Sequence, residues 1–186
     1  MGMILALNAL SDEKIEEIFA NPKLLWKTLT SDESEEDDFL QCSGNIYAAD
    51  YFGMQQEAEN TDLDKAWHAI HFMLTGSAWE GKAPLNFLIC GGKEIDQSDT
   101  GYGPSRAMFS NETLEIKKEL DLISIDEFRR RYNPAEMMQN QIYPDIWDRY
   151  DEQNKNLEYL VEKFELLKDF IDQAYLKSFG LIITIC

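Results

Sequence analysis

His68 and His71 are the only histidines in the chain. They stand three apart in Leu63-Asp64-Lys65-Ala66-Trp67-His68-Ala69-Ile70-His71-Phe72-Met73-Leu74-Thr75-Gly76. An imidazole changes charge near neutral pH, so these two side chains are the ones ready for proton transfer. Three residues apart on a helix they lie about 60° apart around the axis, close enough to converge on one site. A metal would need further ligands, and neither His-Glu-x-x-His nor a Cys-x-x-Cys pair accompanies them. Two readings stay open. The default is an imidazole at the core edge, hydrogen-bonded to a backbone carbonyl. The other is a polar residue of a pocket.

A second cluster is Asp99-Thr100-Gly101-Tyr102-Gly103-Pro104-Ser105-Arg106. Its glycines would let backbone approach a ligand, and Arg106 could grip a carboxylate or phosphate. It lacks the Gly-Lys-Ser/Thr ending of a phosphate-binding loop and the Gly-x-Gly-x-x-Gly fingerprint. A structural turn with Arg106 tied to an acid is the equal alternative. No Gly-x-Ser-x-Gly elbow exists, and Ser105 has no signal linking it to a base. Arg129-Arg130-Arg131 fans around a helix, which suits surface ion pairs better than a phosphate clamp. The candidate pocket is therefore His68, His71, Trp67, Tyr102 and Arg106, with no catalytic residue, metal or cofactor assigned.

The elements that must carry these residues follow from periodicity and punctuation. Residues 3–10 read as an opening strand. Ser11 caps a helix with Asp12 and Glu13 in its first turn and Ile15, Ile18 and Phe19 inward, stopped by Asn21-Pro22. A short helix over 23–29 follows. The run Ser31–Asp38 is too acidic to bury itself and reads as a mobile loop; residues 41–60 are ambiguous. The histidine helix spans about 62–74, with Leu63, Ala66, Trp67, Ile70 and Leu74 inward and Gly76 at a left-handed cap. Residues 85–90 read as a buried strand, 96–106 as a loop and 107–109 as a short extended piece. Ser110 caps a helix to about residue 120. Ser124 with Glu127 opens another, and Asn133-Pro134-Ala135-Glu136 opens a third. Tyr143-Pro144 interrupts. A long helix over about 148–179 is ended by Gly180, and 181–186 form a buried closing strand. The sum is α+β: a helix-rich single domain over 1–186, with a small mixed sheet using the N- and C-terminal strands.

Composition bounds the partners. Lys+Arg 17 against Asp+Glu 35 gives a formal charge of −18. Such a field repels phosphate backbones and anionic lipid, so neither nucleic acid nor a membrane surface is expected. It would attract a basic protein. Three widely spaced cysteines, Cys42, Cys90 and Cys186, do not read as a disulfide set, which fits a reducing cytoplasm. Cys90, in the apolar run, is expected to be a buried, inert thiol. Residues 1–10 lack a basic leader and are not expected to be a signal peptide. No apolar run approaches the roughly 20 residues a bilayer span needs.

The pieces in order resemble the YfbM-like family, a bacterial domain of unknown function. They are Met1-Gly2-Met3-Ile4, the Leu63–His71 stretch with Leu74-Thr75-Gly76, Pro84-Leu85 with Gly91-Gly92, Gly101–Arg106, Ile142-Tyr143-Pro144 with Trp147, and the final helix and strand. The resemblance implies a compact α+β domain in the bacterial cytoplasm and brings no activity with it. His71 fits that pattern better than His68, alanine is usual where Ser105 stands, and the acidic run 31–38 lies outside it. The expected function is an acidic cytoplasmic binding protein, leaning away from an enzyme. One form would be an immunity-type protein against a basic toxin. The alternative is an enzyme or small-ligand binder with a polar cleft between the His68/His71 helix and the Tyr102–Arg106 loop. Oligomeric state is left open.

Overall fold

The two ends of the chain lie side by side. In the computed structural model, which describes residues 2–30 and 59–186, β1 (Leu5–Ser11) and β5 (Phe179–Ile185) pair antiparallel from Leu5 opposite Ile185 to Ser11 opposite Phe179. Aliphatic, β-branched sequence suits strands covered on both faces. β4 (Pro104–Met108) joins the other edge of β5, β3 (Lys93–Asp99) joins β4, and β2 (Glu59–Asp62) joins β1. The order is β2-β1-β5-β4-β3. The acidic run at 31–38, Cys42 and most of the ambiguous stretch lie outside the described residues.

The helices are α1 (Asp12–Ala20), α2 (Leu24–Thr30), α3 (Trp67–Thr75), α4 (Phe87–Cys90), α5 (Ser110–Asp121), α6 (Ile125–Arg130), α7 (Pro134–Gln139) and α8 (Gln153–Leu176). Several boundaries are set by local chemistry. Ser11 Oγ accepts the Lys14 N–H at 3.3 Å, Ser124 Oγ accepts Glu127 N–H at 3.1 Å, and Asn133 Oδ1 accepts Glu136 N–H at 3.3 Å. Each satisfies a donor that the first turn leaves free. Gly76 ends α3 in the left-handed conformation at φ 72°, which glycine adopts without steric cost.

Strand alternation divides the core in two. Leu5, Leu7, Ala9, Leu181 and Ile183 face a large cluster that includes Ile70 of α3, Ile116 of α5 and Phe164 and Leu167 of α8. Leu10, Ala107 and Ile182 pack with Ile15 and Ile18 of α1 and Leu25 of α2. Burial of each leucine, isoleucine or phenylalanine side chain among them contributes roughly 1.5–3 kcal/mol. Phe128 and Phe164 stack at 4.0 Å between α6 and α8.

The helix-rich α+β class holds, but some expected elements differ. The sheet is antiparallel throughout the described residues, not mixed. β3 and β4 form a hairpin, and the helices after β4 return the chain against its direction, so no parallel crossover arises. Residues 87–90 form the short helix α4 instead of a strand; an apolar run of that length fits either state. β3 covers Lys93–Asp99 and β4 begins at Pro104, so the loop expected over 96–106 shrinks to the hairpin tip between them. Only Ile95 and Ser98 of β3 are buried, and a bulge with Gln97 at φ 58° breaks its alternation. Cys90 is exposed, not buried. Helix α5 has Phe109, not Ser110, in its cap position. Gly180 lies inside β5. A Cβ there would overlap the Met108 carbonyl oxygen, while Ser178 at φ 56° makes the left-handed turn after α8.

Candidate functional site

The sequence of α3 is apolar nearly all round, and every residue from Trp67 to Leu74 is buried. Its two imidazoles are therefore sealed along with its aliphatic stripe; His68 and His71 are each 0% exposed. A buried polar group must find a partner or destabilise the fold. The Tyr143 N–H donates to His68 Nδ1 at 3.0 Å, so that nitrogen is bare and the proton sits on Nε2, which donates to the Ala78 carbonyl at 2.8 Å. His71 Nε2 lies 2.9 Å from the Glu80 carbonyl, which can only accept. His71 Nδ1 is buried with no hydrogen-bond partner.

Both rings are held neutral. Burial pushes His68 below the ordinary histidine range, opposed by its bond to the Ala78 carbonyl. Burial pushes His71 down to about 4; the Glu80 carbonyl opposes this, while His68 and the Arg106 guanidinium add to it. A proton on His71 Nδ1 would have to sit away from water with a guanidinium nearby.

The carbonyl partners of these histidines lie in one short loop. Ala78 O accepts from His68, Trp79 O from the Cys90 thiol at 3.1 Å, Glu80 O from His71, and Gly81 O from Asn86 Nδ2 at 3.0 Å. Four successive carbonyls are thus held by four side chains from α3 and from the 86–90 segment. The Thr75 hydroxyl closes the near end by accepting the Ser77 N–H at 3.1 Å. Surface loops usually give such carbonyls to water. Here the backbone is fixed while Trp79 stays 57% exposed, its ring 4.3 Å from that of His68. Trp67 also stacks on His68, with ring centroids 5.0 Å apart, and is itself buried.

Arg106 serves the same segment from the sheet. Its Nη1 donates to Gly91 O at 2.6 Å and Phe87 O at 3.3 Å, and its Nη2 to Leu88 O at 2.7 Å. The Phe87 carbonyl also accepts the Gly91 N–H, while Leu88 and Gly91 carry carbonyls at the end of a four-residue helix that cannot pair them all internally, so Arg106 is a helix cap reaching across from β4. Tyr102 stands apart at the β3–β4 hairpin tip, 50% exposed, where Asp99 Oδ1 accepts the Gly101 and Gly103 N–H groups. The polar cleft expected between these residues is not lined by the histidines, because both are covered and bonded to backbone. His71 and Arg106 are neighbours electrostatically, yet each is occupied by carbonyls. Arg129 and Arg130 make the expected ion pairs, with Glu158 and Glu127, and Arg131 reaches both Glu127 and the Met73 carbonyl.

Three residues that matter here carry weak sequence signals: Trp79, Asn86 and Cys90. The one usable sign was Gly76-Ser77-Ala78-Trp79-Glu80-Gly81, an indole in a short glycine-bounded stretch with no periodicity to bury it. Beside that loop, α4 and α5 enclose a groove of about 340 Å³ lined by Pro84, Phe87, Cys90, Met108, Asn111, Glu112 and Glu115, among others. Among the described residues no group of three His, Cys, Asp or Glu side chains is arranged to hold a metal ion, and no helix is long and apolar enough to cross a membrane.

Comparison with known proteins adds fold and family. The chain is similar in structure to YfbM from Escherichia coli, a protein of unknown function, with a TM-score of 0.69 at 16% sequence identity over 98% of this chain and 99% of that one. At that identity the likeness speaks to fold alone. No curated protein matches the sequence. A family profile matches residues 1–184, and the chain therefore belongs to the family described as Domain of unknown function (DUF1877).

Proposed function

We propose that this chain is a non-enzymatic binding protein whose partner is a basic protein, with the Ser77–Gly81 loop as recognition element and Trp79 as its anchor. The observation that carries this reading is the set of four successive carbonyls held by His68, Cys90, His71 and Asn86. A loop ordered before binding loses little entropy when it docks. An exposed indole on such a loop is the side chain that most often dominates an interface. The formal charge of −18 supplies long-range attraction for a cationic partner and faster encounter. Glu162, Glu165 and Asp169, exposed at helical spacing on α8, contribute to that field. An immunity-type protein that blocks a basic toxin is one form this role would take.

The test is a pull-down from the native host with wild-type chain and with Trp79→Ala, at low and moderate salt. The reading expects a basic protein retained by the wild type, released by the substitution and weakened by salt. Recovery of no basic protein in either condition would overturn it.

A further inference from the structure

We infer that the groove between α4 and α5 seats apolar side chains of a positively charged segment of the partner; this rests on the binding role proposed above. Its apolar lining includes Pro84, Phe87 and Met108, while Gly91 and Gly92 have no side chain to offer. Its polar lining includes Asn111, Glu112 and Glu115, and no lysine or arginine lines it. The volume, about 340 Å³, holds a short run of side chains.

The two kinds of lining ask for different chemistry in one occupant. The apolar residues gain from leucine- or methionine-like groups leaving water. The carboxylates favour a cation beside them and disfavour an anionic neighbour. Glu112 cannot swing away, because its carboxylate accepts the Phe109 N–H at 2.9 Å. Among the described residues Glu115 is paired only with Lys118, at 2.7 Å on the exposed surface. Such pairs are weak and exchange readily for a partner's cation.

The groove also adjoins the Trp79 loop. Cys90 lines the groove, and its thiol holds the Trp79 carbonyl. One rigid frame therefore carries a projecting aromatic anchor and a recess next to it. Interfaces pair such features, a knob on one side meeting a pocket on the other.

The experiment titrates the full chain with three hexapeptides and follows backbone amides by NMR. The probes are Lys-Lys-Leu-Leu-Lys-Lys, Lys-Lys-Ser-Ser-Lys-Lys and Glu-Glu-Leu-Leu-Glu-Glu. The leucine–lysine peptide is expected to shift the amides of Cys90, Gly91, Gly92 and Asn111, and to bind about tenfold more tightly than either control. Asn111→Trp, which fills the groove from an exposed position, should weaken it by about tenfold, and Glu115→Lys should do so without filling it. Equal binding of the serine peptide would overturn the inference in favour of diffuse charge. Equal binding of the glutamate peptide would overturn it in favour of a general apolar or small-ligand site. The host pull-down separates the two claims. A basic partner lost by Trp79→Ala but kept by Asn111→Trp sinks the groove and leaves the binding role standing. No basic partner for the wild type removes both.

Discussion

Replacing His71 by glutamine should abolish a specific part of the protein's pH-dependent stability. The folded chain holds His71 near a pKa of about 4, against roughly 6.5 in an unfolded chain. The folded value is the lower one, so the unfolded state takes up the proton first. The stabilisation is complete above about pH 6.5 and is lost as pH falls from there through about 4. The full difference is about 3 kcal/mol, and about 2 kcal/mol of it has gone by pH 5. Burial of the ring and the neighbouring charge of Arg106 cause it. Glutamine keeps an amide donor for the Glu80 carbonyl and cannot titrate. Many carboxylates titrate in the same range, so the quantity to follow is wild type minus variant, in which they cancel. Urea denaturation at pH 7.5, 6 and 5 gives it, with a constant m-value as the check on two-state behaviour. The difference should shrink by about 2 kcal/mol between pH 7.5 and 5. Two parallel curves would mean that His71 titrates alike in both states, and the sealed neutral imidazole would be refuted.

Further outcomes follow from other contacts. Arg106→Met strips donors from three carbonyls and should cost about 2–4 kcal/mol by urea midpoint, while Arg106→Lys recovers only part, since an ammonium cannot fork across them. Gly180→Ala places a methyl against the Met108 carbonyl oxygen and should destabilise by about 1–3 kcal/mol, read as a lowered Tm. Trp79→Ala removes a largely exposed ring and should change stability by less than about 1 kcal/mol, so any loss of partner binding by that variant would not reflect unfolding.

Much of the fold was legible because local chemistry announces it. Ser11, Ser124 and Asn133-Pro134 cap helices as their types require. Gly76 takes the left-handed position, and the apolar ends at 5–11 and 179–185 are strands. What was not legible depends on residues distant in the chain. Helix α4 ends on an arginine 15 to 19 positions later, so its apolar run carried no sign of being helical. Strand β3 is an edge strand whose bulge removes the alternation that would reveal it. The histidines were identifiable as the distinctive polar residues of α3, and a carbonyl-bonded imidazole was the default reading. Their acceptors, however, lie 10 and 9 residues on, in a loop whose composition gives no hint that side chains hold it. Tyr102 and Arg106 share a motif in the sequence but not a task in the fold. One stands exposed at a hairpin tip and the other finishes a helix.

The account turns on the histidines being neutral loop clamps, and long-range proton–nitrogen NMR of the two imidazoles between pH 4 and 8 reads that directly. It should find His71 neutral at pH 6, and each ring, when neutral, with its proton on Nε2. His71 should take up a second proton only near pH 4, and His68 below the ordinary histidine range. Either ring carrying its proton on Nδ1, or titrating at an unperturbed value near 6.5, would contradict the account.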